Sequence, residues 1–206
     1  MQERQVTLGG NTQMLPDPFL VMATQNPLDQ EGTYPLPEAQ MDRFMMKAIV
    51  GYPTRDEERK VLRLMGASTS KPKAEAVTDL EAIASARELV DRIHMDEKLE
   101  EYLLDLVLAT RPEGRQQLSE RQKDASLDWL DPLLSAGASP RATLVLAQGA
   151  RALAFLDGRG HVLPEDLKSL APDILRHRII PTYEAQAENL DAGAIIARLL
   201  DSLRTP

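Results

Sequence analysis

The chain of 206 residues contains no cysteine, and aromatic residues make up only 4% of it. The absence of cysteine excludes disulfides and thiolate chemistry. With so few aromatic side chains, a hydrophobic core has to consist of leucine, isoleucine, valine, alanine and methionine. Hydrophobic residues reach 43%, which is enough for such a core. A composition rich in alanine and leucine favours helices.

Basic residues are in the minority, because 24 Lys and Arg stand against 32 Asp and Glu and give a net charge of -8. The pI is close to 5.0. This balance argues against a broad nucleic-acid interface and against binding to anionic lipid. No apolar run approaches the roughly 18 residues that a membrane-spanning helix needs, and no signal peptide is visible. These features predict a soluble, cytoplasmic protein without a nucleic-acid partner.

The sequence also lacks a phosphate-binding loop. The motif G-x-x-x-x-G-K-[ST] wraps backbone N–H groups and a lysine around nucleotide phosphates, but no Gly-Lys dipeptide occurs in the chain. No apolar strand ends in Asp-Glu, the pattern that would hold Mg²⁺, and the pair Asp96-Glu97 indicates a helix start instead. His94 and His161 have no metal-ligand spacing. The chain by itself is therefore not expected to bind ATP tightly, to hydrolyse it or to hold a metal.

The stretch MATQNP at residues 22–27 is the most informative part of what is present. Residues 19–23 form an apolar run typical of a buried strand, and the run ends at three polar side chains. Ligands of open α/β sheets bind beyond the carboxyl ends of the strands. A carboxamide at this position can orient a water or hold a phosphate oxygen. Asn26 is thus a candidate site residue, although it can equally satisfy the turn before Pro27.

Arg141 has the strongest physical case for a site. Ser139 can cap a helix, Pro140 suits its first position, and Arg141 then lies in the first turn. A helix N-terminus attracts anions, so a cation there is unfavourable unless an anion lies nearby. The pattern indicates a bound phosphate at Arg141, or else a carboxylate partner.

Two further basic positions are candidates. Arg43 lies near the C-terminal end of a short predicted helix in the stretch EAQMDRF, residues 38–44. It can act on a ligand, or it can simply neutralise the end of its own helix. The cluster Arg176-His177-Arg178 can face a nucleotide cleft, a neighbouring subunit, or solvent at a helix end.

Turn residues and apolar periods predict a mainly α chain with a small α/β part. A β-hairpin is predicted around Gly9-Gly10-Asn11, with flanking strands at 4–8 and 12–15. Further strands are predicted at 19–25 and 45–50. From Thr54 onward the period is helical. The predicted helices cover residues 38–44, 54–66, 78–93, 96–110, 139–156, 164–176 and 191–203, with a short amphipathic piece at 127–134. The predicted domains are 1–52, which is α/β, and 53–206, which is all-helical.

Residues 23–44, ATQNPLDQEGTYPLPEAQMDRF, resemble the MoxR-type family of AAA+ ATPases. GASPRA at 137–142 and LRHR at 175–178 match the same family, in the same order. The resemblance covers nearly the whole chain and is weakest at 66–76 and 112–136. It implies that residues 1–52 are the last part of an AAA+ (P-loop NTPase) core and that a helical lid domain follows.

The resemblance also implies roles for the candidate residues. Asn26 corresponds to the first sensor, the polar residue that helps to place the attacking water. Arg43 corresponds to the arginine finger, which reaches the nucleotide of the neighbouring subunit. Arg141 corresponds to the second sensor, on the lid over the nucleotide. Members of the family bind ATP and Mg²⁺, form rings expected to be hexamers, and remodel or mature client proteins together with von Willebrand factor A-domain (VWA) partners.

The family's phosphate loop and Mg²⁺-binding strand lie before the part that matches this chain. The chain is therefore expected to be the rear part of a longer protein, and whether it is itself an enzyme stays open. The two predicted core strands flank a strand that these residues do not contain. We therefore expect residues 1–52 to be poorly ordered or rearranged. The alternative is a non-catalytic helical module that binds a partner ATPase.

Overall fold

The computed structural model describes residues 5–25, 36–66 and 73–206. Helices dominate these residues, and the strands form two small two-stranded sheets, which confirms the mainly α class. The elements in chain order are β1 (Gln5–Leu8), β2 (Asn11–Met14), α1 (Glu38–Met41), α2 (Arg55–Met65), α3 (Leu80–Asp91), α4 (Glu97–Ala109), β3 (Leu134–Ala136), α5 (Pro140–Leu156), α6 (Pro164–Leu175), β4 (Ile180–Pro181), α7 (Tyr183–Ala187) and α8 (Ala192–Ser202). Short 3₁₀ helices between α4 and β3 cover Glu113–Gln117, Glu120–Gln122 and Asp128–Leu130.

Helix starts follow the predicted caps. Thr54 Oγ1 accepts a hydrogen bond from the Glu57 N–H at 3.4 Å, while the Glu57 carboxylate accepts one from the Thr54 N–H at 2.7 Å. This reciprocal pair is a capping box, and it satisfies donors that the first turn of α2 cannot pair internally. Asp79 and Asp96 cap α3 and α4 through their carboxylates in the same way. The predicted starts of these three helices are confirmed.

The predicted β-hairpin is confirmed with a two-residue loop. Gly9 and Gly10 have φ angles of +57° and +83°, which side-chain-bearing residues rarely adopt. Two successive positive φ angles give the backbone twist that joins antiparallel strands most tightly. Leu8 accordingly pairs with Asn11, and Gln5 pairs with Met14 at the far end.

The hydrophobic core lies between Met95 and Leu203 and is built around α5 and α6. Their inward faces meet the apolar faces of α4 and α8, as the helical period predicts. Helices α2 and α3 contribute no buried residue. The fully buried side chains that fill the centre include Leu106, Leu130, Leu146, Leu167, Ile174, Ile196 and Leu199. None of the helices in the described ranges is long and apolar enough to cross a membrane.

The two strands predicted at 19–25 and 45–50 do not form. In the structure both stretches lack regular secondary structure and are exposed. A strand needs a neighbour to pair with its N–H and C=O groups, and no described strand runs beside either stretch. The apolar runs predicted strands, and that prediction is wrong for both stretches, because a strand also depends on a neighbouring strand to pair with.

Several shorter elements also differ from the prediction. Helix α1 ends at Met41 rather than at residue 44. The amphipathic piece at 127–134 is a single 3₁₀ turn, after which Leu134 enters β3 and pairs with Pro181 of β4. The β3–β4 pair and α7 were not predicted, because elements of two to five residues are too short to show a period.

Hydrogen exchange tests this division of the chain. We expect fast exchange over residues 19–23, whose amides are exposed, and slow exchange in α4, α5 and α6, whose residues form the core. Exchange protection reports the free energy of local opening, which is close to zero for exposed backbone without partners. The measurement is amide exchange of the monomeric chain, followed by peptide. Slow exchange over 19–23 in a monomer would contradict the expectation.

Candidate functional site

The structure brings two of the three predicted site residues close together in space. Asn26 lies outside the described residues. Arg43 follows α1, and Arg141 lies in the first turn of α5. Between them stands Asp42, to which the sequence analysis assigned no role. The Asp42 carboxylate contacts Arg141 directly, and Asp42 is the chain neighbour of Arg43.

Asp42 accepts hydrogen bonds from three side chains. Ser139 Oγ lies 3.0 and 2.9 Å from its two carboxylate oxygens. Arg141 Nη1 donates to Oδ2 at 2.6 Å, and Arg178 Nε donates to Oδ1 at 3.0 Å. The Asp42 side chain is 18% exposed. Because Ser139 is the N-cap of α5, the carboxylate lies at the positive end of that helix. The anion that the sequence predicts there is, in this structure, Asp42.

The charge state of Asp42 follows from these contacts. Burial on its own raises the pKa of the carboxyl group. The hydrogen bonds from Ser139 and Arg141 and the positive charge of Arg178 outweigh burial, so the pKa of Asp42 lies below its ordinary value. Asp42 is therefore an ionised carboxylate at neutral pH.

Arg178 anchors the backbone around Asp42. Its side chain is 0% exposed, and each of the five N–H donors of the guanidinium is used. Nε donates to the Asp42 carboxylate, and Nη2 donates to the backbone oxygens of Asp42 at 3.0 Å and Phe44 at 2.5 Å. Nη1 donates to the backbone oxygens of Met45 at 3.1 Å and Ile174 at 2.5 Å. The interpretation of a solvated helix end is therefore wrong for Arg178.

His177 supports the same backbone from beside Arg178. Its Nε2 lies 3.2 Å from the Phe44 carbonyl oxygen. A carbonyl only accepts, so Nε2 carries the proton, and Nδ1 is buried without a partner among the described residues. Burial and the charge of Arg178 hold the pKa of His177 below its ordinary value, so the ring is neutral. Arg176, in contrast, does not contact this backbone: its Nε donates to the Pro172 carbonyl oxygen at 2.8 Å, and its Nη2 pairs with Asp173 at 2.8 Å.

We call residues 42–47 the docking segment, because they pack along the ends of α5 and α6. In addition to the Asp42 and Phe44 contacts, the Lys47 N–H donates to the Asp173 carbonyl oxygen of α6 at 2.8 Å. The segment lies more than 90 residues away from these helices along the chain, yet it is held at both ends. Arg43 is therefore mounted on a backbone that the helical region fixes.

Arg43 itself is the unoccupied side chain of the docking segment. It is exposed, and its guanidinium makes no hydrogen bond or ion pair with any residue in the described ranges. The other interpretation, that it neutralises the end of its own helix, has no contact to support it. The guanidinium of Arg43 therefore has all its donors free of partners among the described residues and is accessible to a ligand.

Arg141 has a carboxylate partner and spare donors at the same time. Its side chain is 35% exposed and uses only Nη1 on Asp42, while Nε and Nη2 have no hydrogen-bond partner in the described part of the chain. Arg141 and Arg178 share the single carboxylate of Asp42, and the salt bridges formed by described residues give neither of them another. The cluster therefore carries one excess positive charge. Because Arg178 is buried, that charge is accessible at Arg141, where an anion can bind.

No metal site accompanies the cluster in residues 5–25, 36–66 and 73–206. These ranges contain no group of three or more His, Asp or Glu side chains that could hold an ion. His94 and His161 are neighbours only through their backbones, which form an isolated bridge.

Two family models match two separate parts of the chain, and the Asp42 cluster contains residues from both parts. Residues 1–46 match the model of the "ATPase family associated with various cellular activities (AAA)", and residues 129–199 match the "AAA lid domain" model. Asp42 and Arg43 lie in the first match, and Arg141 and Arg178 lie in the second. The hydrogen bonds of Asp42 thus connect an AAA core segment to an AAA lid.

Two relatives and one solved structure match the chain over its full length. Chaperone MoxR1 of Mycobacterium tuberculosis is 39% identical over 206 residues, and the uncharacterized protein YeaC of Bacillus subtilis is 38% identical. The crystal structure of a candidate ATPase from Cytophaga hutchinsonii superimposes with a TM-score of 0.88 at 40% identity. The chain spans 52%, 59% and 59% of these three proteins, respectively. It belongs to the MoxR-type family of AAA+ ATPases.

Proposed function

We propose that this chain supplies the rear part of a MoxR-type ATPase, with Arg141 as the residue that senses the γ-phosphate. The observation that carries the proposal is the unbalanced positive charge at Arg141, at the start of α5. Phosphoryl transfer depends on cations aimed at the transferred group and on a positioned water. Arg43 is the proposed arginine finger toward the neighbouring subunit, and Asn26 is the proposed first sensor.

The proposed protein as a whole binds ATP and Mg²⁺, forms a ring, expected to be a hexamer, and uses hydrolysis to remodel or mature client proteins. A VWA-domain partner in the cytoplasm belongs to the same proposal. The support for these statements is family membership. They are proposals because the chain spans only about half of MoxR1. The proposed division is an AAA core part at 1–52 and a helical lid at 53–206. The docking segment ties the two together.

Residues 1–206 contain no Gly-Lys dipeptide, so a phosphate loop has to come from elsewhere. We use the term completed ATPase for residues 1–206 preceded by an AAA+ segment that contains G-x-x-x-x-G-K-[ST]. That segment comes from the same reading frame or, if the frame has none, from a MoxR-type relative. The second candidate, a helical module that binds a partner ATPase, is favoured by the same missing dipeptide. It predicts no ATP binding even after completion.

The first measurement compares equilibrium binding of an ATP analogue to the two proteins. We expect no detectable binding to residues 1–206 and clear binding to the completed ATPase. The second measurement is the ratio of ATP-analogue affinity to ADP affinity. In the completed ATPase, Arg141→Ala should lower this ratio by roughly 10-fold or more, because charge-assisted contacts to the γ-phosphate contribute about 1.5–3 kcal/mol. Hydrolysis should also slow.

Two variants serve as references for Arg141→Ala. Arg141→Lys should recover only part of the ratio, because a point charge replaces a two-pronged guanidinium. Arg151→Ala removes a charge from the same helix about 15 Å further along its axis, and it should leave the ratio unchanged. Melting without nucleotide should hardly change in Arg141→Ala, since the Ser139 cap and Pro140 remain. An unchanged ratio in Arg141→Ala would make this arginine only a structural partner of Asp42.

A further inference from the structure

We infer that Asp42 is a positioning residue that links the two arginines, so that the state of Arg141 is transmitted to Arg43. The inference rests on the proposed function of Arg141 and Arg43. It adds a regulatory link between two nucleotide sites. Arg141 would act on the nucleotide of its own subunit, and Arg43 would act on that of the neighbour. The carboxylate and the main chain of Asp42 connect the two.

The three side chains that donate to Asp42 differ in how deeply they are buried. Ser139 Oγ and Arg178 Nε hold the carboxylate from partly buried and fully buried positions, respectively. Arg141 holds it through a single nitrogen of a side chain that is one-third exposed. A phosphate carries more negative charge than a carboxylate, so it competes for Arg141 but not for the buried Arg178. Arg141 is the replaceable donor of the three.

Asp42 still has two hydrogen-bond donors when Arg141 binds an anion instead. Asp42 keeps the hydrogen bonds of Ser139 and Arg178, so the loss of Arg141 does not leave a buried carboxylate unpaired. It does change the balance of charge, because the whole carboxylate charge then falls to Arg178. Arg178 is also the residue that holds the Asp42 and Phe44 carbonyl oxygens on either side of Arg43.

Asp42 and Arg43 are adjacent along the chain. A shift of the Asp42 side chain moves a residue whose next neighbour is Arg43. Both flanking carbonyls are bonded to one Nη2 atom, so the turn moves with Arg178 as a unit. On this inference the cluster switches between two arrangements, with Arg141 on Asp42 or on an anion, and an element of that kind can couple two sites. In the arrangement described here, Arg141 binds Asp42.

The test uses the completed ATPase and two readouts. The ATP-to-ADP affinity ratio reports Arg141, and turnover at saturating ATP reports Arg43. Asp42→Asn keeps the shape of the side chain and removes its charge. We expect it to raise the affinity ratio, because no charged carboxylate then competes for Arg141, and to lower turnover, each by about 5- to 150-fold, the usual range of coupling between linked sites. Asp42→Glu, which restores the charge one methylene further out, should bring each readout part of the way back to the wild-type value.

Asp166→Asn is the matched control. Asp166 is a buried carboxylate at the other end of α6, where it accepts from Arg159 at 2.7 and 2.8 Å. The variant breaks an ion pair of the same kind about 14 Å along the helix axis from Leu175, where α6 ends before Arg178. It should lower the melting temperature but leave both readouts unchanged. If Asp42→Asn does not assemble, Asp42→Glu takes its place against the same control.

The outcomes separate the inference from the proposed function. If Arg141→Ala changes the ratio and Arg43→Ala changes turnover, but Asp42 variants alter stability alone, Asp42 is only structural and the inference is wrong. A change in one readout without the other also overturns the link. If neither arginine variant has an effect, the proposed function fails and the inference fails with it. A higher affinity ratio together with slower turnover in Asp42→Asn, with partial reversal of both in Asp42→Glu, supports the link.

Discussion

Replacing Arg178 with methionine should destabilise the helical region more than any other single surface or core polar change in this chain. Methionine has a similar length and no donors, so the Asp42 carboxylate and the carbonyl oxygens of Phe44 and Met45 each lose the hydrogen bond that Arg178 donates. Removing one partner of a buried ion pair typically costs about 3–5 kcal/mol. For a chain of this size, that corresponds to a fall in melting temperature of roughly 6–20 °C. The measurement is thermal and urea unfolding of residues 1–206.

Arg176→Met is the matched control, two positions away. Arg176 pairs with Asp173 one turn back on α6, and that aspartate is 37% exposed. The Arg176 side chain is 17% exposed and also donates to the Pro172 carbonyl oxygen at 2.8 Å. It therefore loses two bonds where Arg178 loses five, and this variant should unfold much closer to wild type than Arg178→Met. Arg178→Lys should fall in between, because an ammonium has three donors where the site offers five acceptors. Equal effects of the Arg176 and Arg178 variants would show that the docking segment contributes no stability.

The contrast between Arg176 and Arg178 shows where sequence interpretation reaches its limit. Helix starts such as Thr54 were predictable, because a capping side chain and its hydrogen-bond partner lie within three residues of each other. The bond between Arg178 and Asp42 joins residues 136 positions apart, and no local pattern reveals it. A signal was present even so: Arg178 directly precedes Ile179 and Ile180 and follows an apolar helix. A lone cation in such surroundings is more often paired than solvated.

The strands show the opposite limit. The apolar run at residues 19–23 predicts a strand, but no strand forms there in the structure, because strand formation depends on a neighbouring strand. The family resemblance implied that this neighbour is not among these residues. The candidate arginines were easier, because a local motif marks each of them. What sequence did not show is their proximity, which depends on Asp42 and on the packing of the docking segment against α5 and α6.

Arg43→Ala in the completed ATPase should give the largest change in activity. The Arg43 side chain is exposed and makes no hydrogen bond or ion pair with described residues, so its removal should leave folding and ATP affinity nearly intact. An arginine finger stabilises charge that develops on the transferred phosphoryl group, and it contributes about 10³–10⁵ to turnover. We therefore expect turnover to fall by that factor at unchanged ATP affinity. Arg59→Ala, which removes another exposed arginine from α2, should leave turnover unchanged.

Mixed rings test whether Arg43 acts across the subunit boundary. Arg43→Ala subunits keep the phosphate-loop lysine, and subunits with that lysine replaced keep Arg43. In a ring with head-to-tail interfaces, random one-to-one mixing places an intact loop beside an intact finger at roughly a quarter of the sites. Turnover should then recover to a comparable fraction of wild type, although neither parent is active. Rings that assemble from both subunits and stay inactive would mean that Arg43 does not act on the neighbouring nucleotide. Arg43 follows a backbone that Arg178 holds and has no hydrogen-bond or ion-pair partner among the described residues, so mixed rings should instead recover turnover, because each site needs only one such arginine from the neighbouring subunit.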